Sequence, residues 1–143
     1  MKDAFGSTVL DAACRLLVPF MLLFAVYVLV HGHDSPGGGF QAGVILAAAV
    51  ILMRLVRGEE APWGPHGPAA LGLAVSGPVV YAAVGLAPLA FGGRYLDYGA
   101  VPLPLPTPSV RALGILGIEI GVTLGVMGVI IVIFESLAAW HED

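Results

Sequence analysis

The sequence predicts an all-α integral membrane protein with four transmembrane helices. Of its 143 residues, 58% are hydrophobic and only 11% are charged, and the mean hydropathy is +0.94. A soluble domain carries about 25% charged residues, so this chain has too little polar surface to face water all round. Its 20 glycines and 11 prolines suit close-packed or interrupted helices in lipid better than a sandwich or barrel.

The composition also excludes several classes of protein. The net charge is −4 and the basic residues are spread along the chain, so the clustered basic surface that nucleic acid requires is missing. The single cysteine, Cys14, excludes an internal disulfide and a cysteine zinc cluster. The segment 37–43 lacks the lysine and hydroxyl of a phosphate-binding loop, and no serine lies in a nucleophile turn. We therefore expect no nucleic-acid partner, no cofactor and no enzymatic activity.

Four stretches are long and apolar enough to cross a membrane. A spanning helix needs about 20 mainly apolar residues, because the hydrocarbon core is about 30 Å thick. We predict spans at about 8–30, 41–56, 69–91 and 112–134. The connecting loops are short, so the whole chain is predicted to form a single membrane domain.

The few charges of the first two spans have structural explanations. Asp11 and Arg15 are four residues apart on the first helix, which is the spacing at which side chains pair, and we interpret them as a structural contact near the interface. The second span is short, but Arg54 and Arg57 can extend their stems and place their charges at the interface. Both segments are therefore compatible with lipid.

The loop between these spans, residues 31–40, is rich in glycine and holds ionisable side chains. The three glycines at 37–39 allow sharp reversals, and such a segment enters the membrane only where protein covers its backbone. One interpretation is that the free amides at the start of the second helix face an anion or a carboxylate. Another is that His31, His33 and Asp34 relay protons or, with weaker support since no further ligand accompanies them, hold a metal. The alternative is a tight turn that packs against a partner.

The third span carries no charge, and the loops on either side of it are rich in proline and glycine. Gly77-Pro78 and the segment 85–88 predict a kink or an interruption of this helix. In the preceding loop, Trp63 suits an interfacial anchor. In the following loop, residues 92–110, alternating prolines keep the chain extended and prevent a helix. We expect that loop to lie over the surface of a neighbour.

The fourth span combines a glycine ridge with one acidic residue. Gly117, Gly121 and Gly125 repeat every four residues and form a flat ridge, which lets a second helix of this chain or another approach closely. Glu119 lies about 200° around the helix from this ridge, and Thr123 shares its face. Both faces of the helix therefore have something to contact, so we do not expect this helix at a lipid-exposed periphery.

Glu119 is the clearest charge inside a predicted span. An ionised, unpaired carboxylate in the hydrocarbon is costly, so such residues are usually paired, protonated or exposed to a water-filled path. One interpretation is a proton or cation relay with Thr123 as a polar neighbour. The alternative is that Glu119, about two turns from the helix start, meets a partner's basic residue near the interface.

The basic residues predict the orientation of the chain. An even number of spans puts both termini on one side of the membrane. That side has four basic residues, Lys2, Arg15, Arg54 and Arg57, and the other side has two. Because cytoplasmic segments carry the excess of lysine and arginine, we predict that both termini are cytoplasmic.

One stretch resembles a known family. The residues from His31 to Arg54 read HGHDSPGGGFQAGVILAAAVILMR and resemble the hallmark of the B-subunit family of Mrp (Mnh) multisubunit sodium/proton antiporters, a G-H-x-x-P-G-G-G-F-x-x-G pattern at the head of the second helix. The matching positions are Gly32, His33, Pro36, Gly37, Gly38, Gly39, Phe40 and Gly43. Chain length, four spans and a glycine-rich last helix with a membrane glutamate are also similar, so the resemblance covers nearly the whole chain.

The resemblance implies a multi-pass subunit of a bacterial or archaeal cytoplasmic (inner) membrane, assembled with Mrp subunits of types A, C, D, E, F and G. Such a complex exchanges cytoplasmic sodium for external protons, is driven by the proton-motive force, and serves sodium and pH homeostasis. The main proton channels are expected in the large A and D subunits, so a B subunit supports assembly and supports or lines the cation route. The ion-path candidates are Glu119, Thr123, His33 and Asp34.

Three hypotheses remain open at this point. The first is an antiporter subunit whose Glu119 or His33 region touches the ion path. The second is a purely structural subunit that holds neighbouring subunits together through Gly117, Gly121 and Gly125. The third is a membrane subunit of a related redox-driven complex, such as a membrane-bound hydrogenase, where similar subunits occur.

Overall fold

The structure, a computed structural model, describes residues 8–32, 38–58 and 63–140, apart from the Trp140 side chain. Within these ranges the chain forms four α-helices: α1 (Thr8–Val30), α2 (Gly39–Arg57), α3 (Pro68–Leu86) and α4 (Thr107–Trp140). Two short 3-10 helices, Ala87–Phe91 and Tyr98–Ala100, lie between α3 and α4. All four α-helices are long and apolar enough to cross a membrane. The predicted all-α fold with four spanning helices is confirmed.

The four helices form an open row rather than a closed bundle. α4 packs against α3 on one side and α2 on the other, and α1 packs mainly against α2. α1 and α3 therefore occupy the outer positions of the row. On α1 the side chains of Val9, Leu16 and Leu23 are 78%, 69% and 68% exposed. Apolar faces of this size are covered in the membrane by lipid or by neighbouring subunits.

Small side chains dominate the contacts between the helices. One buried cluster joins α1 to α2 around Cys14 and Ala49. A second cluster joins α2, α3 and α4 around Ala47, Ala70 and Ile131. Small residues at these contacts let the helix backbones approach closely and gain van der Waals contacts that lipid cannot supply.

α3 differs from the predicted span in where its α-helical geometry ends. The chain remains α-helical through Gly77-Pro78 and continues to Leu86, where a 3-10 helix containing Pro88 follows. The expected interruption is therefore absent at Pro78 and present before Pro88. A Cβ atom placed on Gly125 would lie 3.5 Å from the Pro78 ring, so this proline packs against α4. Neighbouring helices make such a proline tolerable in a membrane helix.

α4 is longer at both ends than the predicted span of residues 112–134. It begins at Thr107 and ends at Trp140. The expectation that proline prevents a helix is wrong at Pro108, because a proline in the first turn removes no intrahelical hydrogen bond. The amides of the two residues after Pro108 donate to the Pro106 carbonyl at 2.9 and 3.1 Å, which starts the helix.

This early start changes the position of Glu119. The predicted loop of residues 92–110 is wrong in its last four positions, which are helical. Glu119 therefore lies twelve residues after Thr107, about 18 Å along the helix axis, rather than the two turns predicted. The relay and the ion-pair interpretations of Glu119 both remain predictions.

The loop after α3 folds back onto its own chain. A Cβ atom on Gly85 would lie 2.6 Å from the Tyr95 ring, and one on Gly114 would overlap the Tyr98 ring. Burial is the main cause that raises the pKa of the Tyr98 phenol, with Tyr81 and Tyr95 adding to it. The surface that this loop covers thus includes the ends of α3 and α4 of the same chain.

One end of the helix row is held by a partly buried ion pair. The Arg54 guanidinium of α2 lies 2.7 Å from the Glu135 carboxylate of α4, and it also donates to the carbonyls of Trp63 and Pro65. The same carboxylate accepts a hydrogen bond from the Gly67 amide, 3.0 Å away, at the start of α3. We call this group the Arg54–Glu135 clasp, and it joins the ends of three helices.

Asp11 connects α1 to the same end of the row. Its carboxylate lies 2.7 Å from the Arg15 guanidinium, so the pair predicted from the sequence is present. A second contact, 2.9 Å from Asp11 to Arg57 on α2, was not predicted. The start of α1 and the end of α2 therefore lie together, as the alternating direction of the helices requires. The cytoplasmic location of this end remains a prediction.

Candidate functional site

The ends of the glycine-rich loop lie against the Glu119 carboxylate. A Cβ atom on Gly32 would lie 2.5 and 2.6 Å from the two carboxylate oxygens of Glu119, and one on Gly38 would lie 2.9 Å from the first of them. Real Cβ atoms essentially never come this close to another atom, so a side chain at either position would require its neighbours to shift. We call Gly32 and Gly38 the glycine seat.

The first turn of α2 continues this contact along α4. A Cβ atom on Gly39 would lie 2.9 Å from the Glu119 Cα atom. One turn further along α2, a Cβ atom on Gly43 would lie 2.8 Å from the Thr123 carbonyl and 2.9 Å from the Val126 Cβ atom. The two helix backbones therefore touch where α2 begins. All four motif glycines that lie in the described ranges face the same side of α4, which is the side that carries Glu119.

Thr123 fixes this contact with its hydroxyl group. Its side chain is buried, and Oγ1 lies 3.0 Å from the Gly39 carbonyl and 2.8 Å from the Glu119 carbonyl. One hydroxyl proton serves one of these acceptors at a time. Thr123 thus links the start of α2 to α4 one turn from Glu119, on the face where the sequence placed both residues.

The electrostatics of this position favour a carboxylate. The first amides of a helix have no intrahelical acceptor and carry a partial positive charge. The seat includes Gly38, whose carbonyl accepts the first hydrogen bond of α2 from Ala42 at 3.0 Å. The sequence suggested that this helix start faces an anion or a carboxylate, and the structure places the Glu119 carboxylate of the same chain beside it.

The glycine ridge of α4 is occupied by α3 of the same chain. A Cβ atom on Gly121 would lie 2.9 Å from the Tyr81 amide nitrogen and 3.0 Å from the Gly77 carbonyl. A Cβ atom on Gly117 would lie 3.2 Å from the Val84 side chain. The sequence left open whether the ridge meets this chain or another. Because α3 covers it, the ridge is not available to hold a neighbouring subunit.

Gly77 is a packing residue that the sequence analysis missed. It was interpreted as part of a kink, yet a Cβ atom placed there would overlap the Gly125 backbone and lie 2.7 Å from the Gly121 carbonyl. Its partner ridge on α4 was visible in the sequence, but a single glycine on α3 gave no signal of its own.

The Arg54–Glu135 clasp was also missed. Arg54 was expected to extend to the interface, and Glu135 lies just beyond the predicted end of the last span. Their side chains are only 11% and 28% exposed. Arg54 and Glu135 are 81 positions apart in the sequence, so no local spacing indicates that they pair.

An apolar groove opens beside the Glu119 face. It has a volume of about 540 Å³ and is lined by residues of α2, α3 and α4, among them Phe40, Tyr81, Val122 and Val126. Phe40 is the aromatic residue of the loop motif, and its side chain is 63% exposed. The groove offers almost no polar groups, so a lipid chain or an apolar side chain suits it better than a hydrated ion.

Several candidate residues lie outside the described ranges. His33, Asp34, Pro36 and Gly37 belong to them, so their roles remain predictions. The neighbouring His31 is exposed, and its Nδ1 atom lies 3.0 Å from the Tyr27 carbonyl. In the described part of the chain no group of three or more histidine, cysteine, aspartate or glutamate side chains is arranged to hold a metal ion.

Comparisons with known proteins identify relatives over nearly the whole chain. Residues 9–132 match the model of a domain related to the MnhB subunit of Na+/H+ antiporter. A Staphylococcus aureus (strain MRSA252) protein, named as a proposed antiporter subunit mnhB2, is 32% identical over 139 residues. The alignment covers 96% of this chain and 97% of that relative. The corresponding protein of strain Newman is 31% identical over the same shares of both chains.

A solved structure is also similar. It belongs to the membrane-bound sulfane sulfur reductase, an archaeal respiratory membrane complex, and one of its chains superposes with a TM-score of 0.58 at 29% identity. The likeness covers 89% of this chain and 58% of that chain, so this protein spans less than two thirds of its length.

These comparisons agree with the motif. The family model covers most of the chain and includes the glycine-rich loop, the glycine seat and Glu119. The resemblance seen in the sequence is therefore confirmed, and the four apolar helices make the protein a multi-pass membrane protein. The chain belongs to the MnhB family.

Proposed function

We propose that this chain is a small membrane subunit of a Mrp-type multisubunit sodium/proton antiporter and that the Glu119 face of α4 borders its cation route. The family match and the names of the relatives support the antiporter assignment. The assembled complex contains the other Mrp subunits, lies in a bacterial or archaeal cytoplasmic membrane, and serves sodium and pH homeostasis. The chain acts as a component of a secondary transporter, without enzymatic activity.

The observation that carries this proposal is the position of Glu119. The residue lies sixteen positions before Glu135 on α4, which is about 24 Å along the helix axis from the clasp. Ionisable residues within membrane-spanning helices usually face the protein interior or a water-filled cavity and mark ion or proton pathways. Glu119 faces the motif glycines at the start of α2, and α4 lies between α2 and α3 in the row.

A second function is supported by the similar solved structure. The archaeal respiratory complex contains a chain of the same fold at 29% identity. The alternative is therefore a membrane subunit of a redox-driven complex, in which the same Glu119 face borders a cation route. Neighbouring genes distinguish the two: an adjacent iron–sulfur or nickel–iron subunit would favour the redox complex.

Replacing Glu119 with glutamine tests the proposal. Glutamine has nearly the same shape, but it neither carries a charge nor exchanges a proton. We expect the initial rate of sodium-dependent proton movement in inverted vesicles to fall about tenfold or more, the scale at which a positioned proton-transfer group contributes. The complex is expected to assemble normally on native gels.

Asp97→Asn is the matched control. Asp97 is an exposed carboxylate in the loop before α4, so its replacement should leave transport at the wild-type rate. An assembled Glu119→Gln complex with wild-type transport would remove Glu119 from the cation route.

A further inference from the structure

We infer that Gly32 and Gly38 are positioning residues for the Glu119 carboxylate. Their missing side chains create the space in which the carboxylate lies, and this space fixes its position relative to the cation route. The inference rests on the proposed function for its consequence in transport. The steric relation between the glycine seat and Glu119 stands on the geometry alone.

Space, rather than backbone conformation, explains glycine at position 32. Gly32 does not have the positive φ angle that favours glycine, in contrast to Gly38 with φ +113°. An alanine at position 32 is therefore compatible with the backbone angle. Its methyl group would lie 2.5 and 2.6 Å from the two Glu119 carboxylate oxygens, where no methyl group fits. Glycine at 32 thus leaves room for the Glu119 carboxylate and for the Gly38 backbone.

The atom most able to move is the carboxylate. It is the end of a flexible side chain, whereas the other close neighbour of a Gly32 methyl group, the Gly38 Cα atom at 2.6 Å, belongs to the backbone. To reach an ordinary van der Waals distance, the carboxylate must shift by about 1 Å, and a misplacement of this size costs up to about a hundredfold in rate where a reaction depends on oriented groups.

The experiment uses Gly32→Ala in the assembled complex with two readouts. The first is the rate at which dicyclohexylcarbodiimide, which modifies carboxyl groups in apolar surroundings, labels Glu119 as measured by mass spectrometry. The second is sodium-dependent proton movement. We expect labelling to become several times faster as the carboxylate leaves the glycine seat, and transport to fall about tenfold to a hundredfold. Wild-type values for both would overturn the inference.

Gly72→Ala is the matched control. A Cβ atom on Gly72 of α3 would meet nothing within 4 Å, so this variant adds the same methyl group without a clash. Both readouts should remain at wild-type values. Wild-type labelling and transport in Gly72→Ala would show that the changes seen in Gly32→Ala depend on the position and not on the added methyl group alone.

A double variant separates the carboxylate from strain in the turn. Aspartate at position 119 is one methylene shorter than glutamate and leaves room for the methyl group. Relative to the Glu119→Asp single variant, adding Gly32→Ala should therefore lower the transport rate by a much smaller factor than it does in the wild type. If Gly32→Ala alone fails to assemble, restored assembly in the double variant supports the inference. If Gly32→Ala lowers transport by the same factor in both backgrounds, or prevents assembly in both, the effect comes from the clash with the Gly38 backbone. Either result would overturn the inference.

The two proposals fail in different ways. Normal transport by Glu119→Gln would reject the place of Glu119 in the cation route. The labelling rate would still test the seat, because it reports where the carboxylate lies whether or not ions pass it. Unchanged labelling in Gly32→Ala together with defective transport in Glu119→Gln would reject the inference alone.

Discussion

Replacing Gly121 with leucine is expected to separate α3 from α4 and to deplete the folded chain in the membrane. A side chain at this position would start 2.9 Å from the Tyr81 amide nitrogen and 3.0 Å from the Gly77 carbonyl. Both are backbone atoms, so they can move only if a helix moves. Overpacking typically costs about 1–3 kcal/mol, and we expect the upper end of this range because backbone atoms must move. This is a large share of the stability of an ordinary domain.

Gly72→Leu provides the comparison for this variant. It places the same side chain on α3 where a Cβ atom has no neighbour within 4 Å. The amount of chain in the membrane and the melting temperature in detergent should fall for Gly121→Leu and stay near wild type for Gly72→Leu. Release of an intact, folded chain from the complex by Gly121→Leu would instead show that the ridge faces another subunit.

Replacing Arg54 with glutamine is expected to produce the second large loss of stability. The change removes the positive charge opposite the Glu135 carboxylate, which is 28% exposed and remains against the Gly67 amide. It also weakens the hydrogen bonds to the Trp63 and Pro65 carbonyls. Breaking one side of a buried pair costs about 3–5 kcal/mol, and because this pair retains some exposure we expect about 2–4 kcal/mol. The ends of α2, α3 and α4 should separate first.

Arg15→Gln is the control for the clasp. Its guanidinium also pairs with a carboxylate, but its side chain is 65% exposed, so its loss should cost at most about 1 kcal/mol. Thermal unfolding of the two variants in detergent gives the comparison. Equal melting temperatures for Arg54→Gln and Arg15→Gln would show that the clasp contributes no more than a surface pair.

The sequence was sufficient for the parts of the fold that depend on local composition. Four apolar stretches predict four helices because each must satisfy its backbone hydrogen bonds in lipid, whatever its neighbours are. The same holds for the two faces of α4, because the angle between Glu119 and the glycine ridge follows from helix geometry. The loop motif also pointed to the MnhB family, since its pattern is contiguous in the chain.

The parts that depend on contacts between distant segments could not be predicted. Periodicity shows that Gly121 lies on a packing face, but it does not say that α3 supplies the partner or that Gly77 is the point of closest approach. The loop motif and Glu119 were identified separately, and only the order of helices in the row brings them together. The start of α4 was missed because Pro108 lies in the one turn where proline is harmless.

Sodium protection of Glu119 in the wild-type complex tests the central claim most directly. If the Glu119 face borders the cation route, sodium should slow the labelling of this carboxylate by dicyclohexylcarbodiimide, while an equal concentration of choline should not. Labelling of the exposed Asp97 by a water-soluble carbodiimide should be the same in both salts. An equal labelling rate of Glu119 in sodium and in choline would contradict the account.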